Sequence, residues 1–159
     1  MTWSPHVTVA AIAEQNQRFL VVKEKVRGRL VVNNPAGHLE AGESFTAAVR
    51  RETMEETGWE FEPEAITGIY LWTNVAIRTT FLRITFCGRC LRQHPDRTLD
   101  TGIVAPRWMT RTELGASSVQ LRSPLVLRCI DDYLGGRRFP LDLLASLDPI
   151  AVHAARARS

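Results

Sequence analysis

The sequence lacks any run of about 18 apolar residues, the shortest stretch that reads as a transmembrane helix. Its first residues, MTWSPHVTVA, also lack the charged and then apolar organisation of a secretory signal. We therefore expect a cytoplasmic protein without a membrane partner.

Cysteine is scarce, since the 159 residues include only Cys87, Cys90 and Cys129. No second Cys-x-x-Cys motif or histidine pair completes a zinc site. Cys87 and Cys90 fall in a predicted strand, where residues three positions apart point to opposite faces. We expect buried free thiols rather than a redox or metal-binding pair.

Lysine is nearly absent, because 18 of the 20 basic residues are arginine. Arginine binds phosphate oxygens in a bidentate way, so the bias fits phosphate recognition, although codon usage in the source genome explains it equally well. The net charge is only +3 and no nucleic-acid-binding motif is present. A nucleic-acid polymer is therefore not expected as a partner.

Acidic residues, in contrast, are concentrated in one segment. Eight of the 17 are glutamates between Glu40 and Glu64. The stretch 45–57 contains neither glycine nor proline, and we predict a helix there. Ser44 is the expected N-cap, and Gly58 is the expected left-handed residue that ends the helix.

Three glutamates of this helix share one face. At about 100° per residue, Glu56 lies about 40° from Glu52, and Glu55 lies about 60° to the other side. Like charges at this spacing destabilise a helix by roughly 0.2–0.5 kcal/mol per pair, and burial adds to the cost. A hard divalent cation would reverse the effect, because Mg²⁺ prefers oxygen ligands and leaves room for substrate phosphates. The alternative is a solvated acidic helix face.

Three further features favour the cation site. Apolar residues of the earlier turns share the acidic face, as if the helix packed on a sheet. Arg51 lies about 100° from Glu52 and is placed to reach back to Glu43. Gly37 and Gly42 bracket the loop before the helix, where glycine lets a backbone carbonyl approach an ion.

The rest of the chain is predicted to be mostly strands. We place strands at 6–14, 18–26, 30–32, 66–72, 79–91 and 104–109, with the first two as a hairpin, and loops at 60–64 and 92–102. A capping box at 110–113 predicts a short helix, and Ser123-Pro124 a second one that runs to Leu134. Residues 139–147 should pack back on the core, and about eight terminal residues should fray. We predict a single domain over 1–159, with its core at about 4–135.

The segment from Gly37 to Trp59 resembles the Nudix box, G-x5-E-x7-R-E-U-x-E-E-x-G-U, in which U is a bulky apolar residue. Its fixed positions are filled by Gly37, Glu43, Arg51, Glu52, Glu55, Glu56, Gly58 and Trp59. Thr53 at the first U position is the one departure. The resemblance implies an α/β (α+β) fold, an α/β/α sandwich with a mixed central sheet and a catalytic loop-helix-loop on one side. It also implies Mg²⁺-dependent hydrolysis of a small-molecule diphosphate.

The resemblance implies metal ligands among the box residues. Glu52 and Glu56, with Glu55 in support, would hold one to three Mg²⁺ ions, or Mn²⁺, and the Gly37 carbonyl would be a further ligand. Ions held there would neutralise phosphate oxygens and lower the pKa of a bound water.

The implied catalytic residues are Glu52, Glu55, Arg51 and Glu43. Arg51 would pair with Glu43 and hold the loop and the helix in register. Glu43 is either a loop anchor alone or also a contact to the site. The general base is either a box glutamate or an acid in a later loop, where Asp100 is the candidate and a solvated loop aspartate is the alternative.

Segments at the entry of the box and beyond it, among them 35–40, 81–83 and 121–125, resemble one phosphatase subfamily of these enzymes. That implies release of phosphate from nucleoside tri- and diphosphates and from hydroxymethylpyrimidine diphosphate. A Nudix pyrophosphatase acting on modified nucleotides or nucleotide sugars is the alternative, followed by a non-catalytic ligand-binding domain. Either a monomer or a homodimer is compatible with the sequence.

Four residues outside the helix are candidates for contact with the substrate or are neighbours of the site. Trp72 either stacks on a base or pyrimidine or belongs to the core. Arg83 and Arg122 are candidates for binding a terminal phosphate. The alternative for Arg83 is an exposed strand residue, and the alternative for Arg122 is a residue at a helix start. His38, next to the box glycine, is expected to be a loop residue.

Overall fold

A computed structural model describes residues 2–116 and 118–147, so the predicted fraying of the last eight residues lies outside the described residues. The strands are β1 (His6–Gln15), β2 (Arg18–Val26), β3 (Arg29–Asn33), β4 (Ala36–His38), β5 (Trp59–Asn74), β6 (Thr79–Gln93) and β7 (Ile103–Thr110). The helices are α1 (Phe45–Thr57), α2 (Arg111–Leu114) and α3 (Leu125–Leu134), followed by a 3₁₀ turn at Leu141–Leu143. No helix in the described ranges is long and apolar enough to span a membrane.

The sheet is mixed. β1 runs parallel to β6 and antiparallel to β4, and β5 pairs antiparallel with β6. β1 also forms the predicted hairpin with β2, which pairs antiparallel with β3 and β7. The box helix α1 follows β4, so β4 brings the glycine loop beside the centre of the sheet.

Helices cover both faces of the sheet. Because side chains alternate along a strand, Val9 and Ala11 pack with Ala48 and Val49 of α1, whereas Ile12 points to the opposite side. That second face packs against the buried α3 residues Leu125, Cys129 and Ile130. The predicted α/β/α sandwich is confirmed, and α1 has the expected apolar start.

Helix α1 begins and ends where the sequence predicts. The Ser44 side chain accepts a hydrogen bond from the Ala47 amide at 3.1 Å, and Gly58 is left-handed with φ 72°. Thr53, at the atypical box position, is fully buried and donates to the Val49 carbonyl at 2.7 Å. A small β-branched residue therefore fills this position without leaving its hydroxyl unpaired.

Replacing Ser44 with alanine should lower the free energy of unfolding by about 1 kcal/mol, because one helix N–H loses its acceptor. Ser44→Asp restores an acceptor and should stay within a few tenths of a kcal/mol of the wild type, roughly the spread among good N-caps. Urea denaturation of the three proteins tests this. Equal losses in both variants would show that the cap does not stabilise the helix.

Two predictions about the strands are wrong. Residues 60–64, predicted as a loop, belong to β5, because Phe61 is buried and pairs with Cys90 of β6. Pro63 is accommodated because β5 is an edge strand with a register shift between Pro63 and Ala65. The sequence did not predict the short strand β4, because two of its three residues, Gly37 and His38, lie within the predicted box loop. It is held by pairing with β1 rather than by its own sequence pattern.

Two other predictions hold for the most part. Phe139 exchanges backbone hydrogen bonds of 2.8 Å with Ile66, and Leu141 packs against the core, so segment 139–147 does return to the domain. All three cysteines are free, but only Cys87 and Cys129 are buried, whereas Cys90 is partly exposed.

Candidate active site

A cavity of about 400 Å³ lies where the acidic end of α1 meets β4 and the α3-facing side of the sheet. Its charged lining residues are Glu24, Glu40, Glu52, Glu56, Arg83 and Arg122. Gly37, His38 and Trp72 line it as well. The structure therefore brings three of the predicted box residues, Gly37, Glu52 and Glu56, and all three predicted substrate-contact residues to one cavity.

Glu52 and Glu56 are buried, each with only 8% of its surface exposed. Glu56 accepts a hydrogen bond from the Ala36 amide at 2.9 Å. Burial raises the pKa of Glu56 to about 8, and the neighbouring carboxylates Glu24, Glu52 and Asp100 add to the effect. Burial also raises the pKa of Glu52. A solvated acidic face, the alternative reading of α1, is therefore wrong for these two residues.

Arg51 links the helix to the preceding loop, as its spacing predicts. Its Nε and Nη2 donate to the two carboxylate oxygens of Glu43 at 3.0 and 2.7 Å, and these hydrogen bonds raise the pKa of Arg51. Nη1 donates to Glu52 at 2.8 Å and to Glu55 at 3.1 Å. Arg51 uses one oxygen of Glu52 and one of Glu55, so the other oxygen of each remains for a ligand.

Asp100 comes close to the box although it is 45 residues away from Glu55 in the sequence. One carboxylate oxygen from each of Glu52, Glu55 and Asp100 lies within 4.8 Å of the others. The Asp100 amide also donates to the Glu55 carbonyl at 3.0 Å, which fixes the later loop against the end of α1. Glu55 and Asp100 lie outside the cavity lining and are more exposed than Glu52.

Two features of the site suit a divalent cation. Three carboxylates, those of Glu52, Glu55 and Asp100, converge between α1 and the later loop, and carboxylate oxygens are the ligands that hard ions such as Mg²⁺ prefer. Gly37, paired with Val9 of β1, passes so close to Glu52 that a Cβ at this position would overlap the Glu52 carboxylate. The backbone of the glycine loop therefore borders the same space as the buried acids, and the residues fit the ion that the box implies.

Aromatic residues form another wall of the cavity. Trp72 of β5 stacks on Phe81 of β6, with ring centroids 5.9 Å apart and planes at 20°. Trp72 is only partly buried and its ring borders the cavity, so it is a wall residue at the edge of the α3-side core.

Arg83 is buried rather than exposed on its strand, which overturns the alternative reading of this residue. Only 8% of its surface is accessible, and burial lowers the pKa of its guanidinium. Its Nε and Nη1 atoms have no hydrogen-bond partner within residues 2–116 and 118–147. Arg122, in contrast, is exposed and donates to Glu24 at 3.2 Å.

Sequence reasoning missed Glu24, Thr8 and Asn33 in the cavity lining. Glu24 alternates with Lys23 and Lys25 in β2, a pattern typical of an exposed strand edge, so no local signal marked it. His38 is the last residue of β4 rather than a loop residue. Its Nε2 lies 3.3 Å from Nδ1 of His6, and burial, together with His6, lowers the pKa of His38.

Both the sequence and the fold are similar to those of known proteins. A family model described as NUDIX domain matches residues 4–128. The chain is 37% identical to phosphatase NudJ of Escherichia coli strain K12 over 146 residues, which cover 92% of this chain and 94% of that protein.

Solved structures give a consistent result. A NUDIX hydrolase from Nitrosomonas europaea superposes with a TM-score of 0.89 and 50% identity, over 92% of this chain and 99% of that one. A MutT NUDIX hydrolase from Burkholderia pseudomallei shares the fold with a TM-score of 0.70 at 17% identity, over 82% of this chain and 98% of that one.

Proposed function

The chain belongs to the NUDIX family of hydrolases, and on that premise we propose that it hydrolyses small-molecule diphosphates with the help of a divalent cation. The observation that supports this proposal most is the burial of Glu52 and Glu56 in a cavity that also contains Arg83 and Arg122. Buried acids without cations are costly, whereas the same acids beside arginines suit a metal-bound polyphosphate.

Glu52 and Glu56 would hold the cation, with the Gly37 carbonyl as a further ligand and Glu55 in support. Mg²⁺ is the expected ion and Mn²⁺ the alternative. When bound, such an ion neutralises phosphate oxygens and lowers the pKa of a coordinated water. The paired orientation of Glu52 and Glu55 depends on Arg51, whose own position is fixed by two hydrogen bonds to Glu43.

The remaining residues would position the reaction. Glu55 is partly exposed and keeps one oxygen that Arg51 does not use, so we assign it as the general base that takes the proton from water. Asp100, whose carboxylate lies beside it, is the alternative. Arg122, which pairs with Glu24 in this structure, would release Glu24 and bind phosphate oxygens instead. Trp72 would stack on the organic group.

For the substrates, we propose nucleoside tri- and diphosphates and hydroxymethylpyrimidine diphosphate, with release of orthophosphate. The similarity to phosphatase NudJ over 92% of the chain supports this choice. A pyrophosphatase acting on modified nucleotides or nucleotide sugars would instead release a nucleoside monophosphate or pyrophosphate.

A phosphate-release screen over these compounds, with and without Mg²⁺, tests the proposal. We expect Mg²⁺-stimulated release of orthophosphate from at least one of the proposed substrates. Product analysis by ion-exchange chromatography separates this outcome from pyrophosphatase activity. No Mg²⁺-stimulated hydrolysis of any compound would favour a non-catalytic binding domain.

Removing metal should make the stability of the protein depend on pH through Glu56. Its pKa is about 8 in the folded protein against an ordinary value of 4.5, so the folded state binds the extra proton between these values. Stability without metal should therefore fall as pH rises from about 4.5 to about 8, because the unfolded state binds fewer protons in that range. Denaturation with a chelator at a series of pH values measures this.

Glu56→Gln is the control for this prediction, since it cannot titrate. Its stability should fall less steeply over the same pH range, and added Mg²⁺ should stabilise the wild type most at the alkaline end. Parallel pH profiles for the wild type and Glu56→Gln would contradict the assignment.

A further inference from the structure

Four of the six buried side-chain atoms without hydrogen-bond partners in the described part of the chain belong to residues that line the cavity. They are Nε and Nη1 of Arg83, Oγ1 of Thr8 and Oδ1 of Asn33, whereas the other two belong to Asn34, outside the lining. A buried polar group without a hydrogen bond is costly, and a buried charge more so. Four such atoms on the walls of one cavity are available to pair with a bound molecule.

The strand register places this polar group next to the aromatic wall. Arg83 of β6 lies opposite Thr8 of β1, and Phe81, two residues earlier on the same strand, lies opposite Trp72 of β5. Residues two apart on a strand share a face and are roughly 7 Å apart. A flat ring packed against Trp72 and Phe81 would therefore have its edge within reach of Arg83.

The donor and acceptor types of these atoms decide what the ring edge must carry. Arg83 only donates, and the buried oxygen of Asn33 only accepts. A phosphate offers acceptors alone, so it would leave the Asn33 oxygen, as the amide is oriented here, without a donor. A ring whose edge carries both an acceptor atom and an N–H donor can pair with both kinds of group, and the Thr8 hydroxyl can act in either direction.

We propose that Arg83, Asn33 and Thr8 form a recognition subsite for a planar heteroaromatic ring that presents a hydrogen-bond acceptor beside an N–H donor, as in an aminopyrimidine or a nucleobase. The inference rests on the proposed function, because the ring is the organic group of the diphosphate. The two arginines would then bind different parts of the substrate: Arg122 would contact phosphate, and Arg83 would donate hydrogen bonds to the ring. This differs from the sequence-based expectation that both bind phosphate.

The test compares two diphosphates that differ in the ring edge. Hydroxymethylpyrimidine diphosphate carries the acceptor and the amino group, whereas benzyl diphosphate stacks but cannot form these hydrogen bonds. Arg83→Met should lower kcat/KM for the pyrimidine compound by about thirtyfold, the order expected when a hydrogen bond to a charged group is lost. The value for benzyl diphosphate should fall less than threefold. Cytidine diphosphate, as a second heteroaromatic substrate, distinguishes a nucleobase from a free pyrimidine as the preferred ring.

An equal fall for both compounds would overturn the inference, since it would mean that Arg83 binds the shared diphosphate. Arg89→Met is the matched control, because Arg89 is an exposed arginine of the same strand, and it should change neither value. Asn33→Ala, like Arg83→Met, should lower the ratio of kcat/KM for the pyrimidine compound to kcat/KM for benzyl diphosphate. This second variant keeps the test informative if Arg83→Met fails to fold.

A binding measurement separates this inference from the proposed function. Calorimetry with hydroxymethylpyrimidine monophosphate and benzyl phosphate, without metal, needs no turnover. Wild-type protein should bind the pyrimidine compound at least tenfold more tightly than benzyl phosphate, because a hydrogen bond to a charged group contributes roughly this much. Arg83→Met should bind the two compounds equally. Equal affinities in the wild type would overturn the subsite even in an active enzyme, and a clear preference would support it even if no diphosphate is hydrolysed.

Discussion

Glu56→Gln is expected to lower kcat by about a hundredfold or more while the protein stays folded, the upper range for a disturbed metal site. Glutamine keeps the shape of the side chain and can still accept from the Ala36 amide, but it removes the negative charge. Because Glu56 is buried and its pKa is raised, the neutral side chain should also be easier to accommodate than the carboxylate in the absence of metal.

The combination of lost activity and retained or increased stability is the signature of this prediction. If the glutamate had only a structural role, its replacement would lower activity and stability together. Glu52→Gln should behave in the same way, whereas Glu62→Gln, an exposed glutamate paired with Arg50 outside the cavity, should leave kcat unchanged. Wild-type rates in both the Glu52 and the Glu56 variants would end the assignment of the site.

Gly37→Ala is expected to lower kcat by about ten- to a hundredfold, although it adds only one methyl group. The new Cβ would overlap the Glu52 carboxylate, so Glu52 must move away from its position beside Arg51. Steady-state kinetics over a range of Mg²⁺ concentrations should show a higher requirement for the ion as well as a lower maximum rate.

Two comparisons isolate the cause of this loss. Gly135→Ala, at a helix end with ordinary backbone angles and only mild contacts, should leave kcat unchanged. In a double-mutant cycle, Gly37→Ala should cost little in a protein that already carries Glu52→Gln, because both changes act on one carboxylate. Additive losses would mean that Gly37 acts independently of Glu52.

The part of the site that the sequence predicted is the part determined by local chain geometry. The cap at Ser44 and the stop at Gly58 lie next to the helix they bound, and helical spacing alone put Glu52, Glu55 and Glu56 on one face. The Arg51–Glu43 pair also spans only eight residues. Local rules suffice for each of these because no distant strand has to be placed first.

The part that the sequence did not reveal depends on how strands pair. Arg83 lies in a strand whose pattern gives no sign of which face is covered, and its burial follows from the placement of β1 and β5 on either side of β6. Glu24 comes from β2 and reaches the box only in the folded chain, and the closeness of Asp100, a candidate from its loop alone, depends on the docking of that loop on α1. Proline and acidic residues in 60–64 indicated a loop, but burial of Phe61 and pairing at the sheet edge outweighed them.

The central claim is that the buried acids at the end of α1 hold divalent cations. Mn²⁺ binding followed by electron paramagnetic resonance tests it directly, with the wild type and a Glu52→Gln, Glu56→Gln double variant at equal concentration. We predict that the wild type depletes the free Mn²⁺ signal and that Mg²⁺ restores it by competition, while the folded double variant leaves the signal unchanged. Equal depletion by both proteins would place the ions elsewhere and contradict the account.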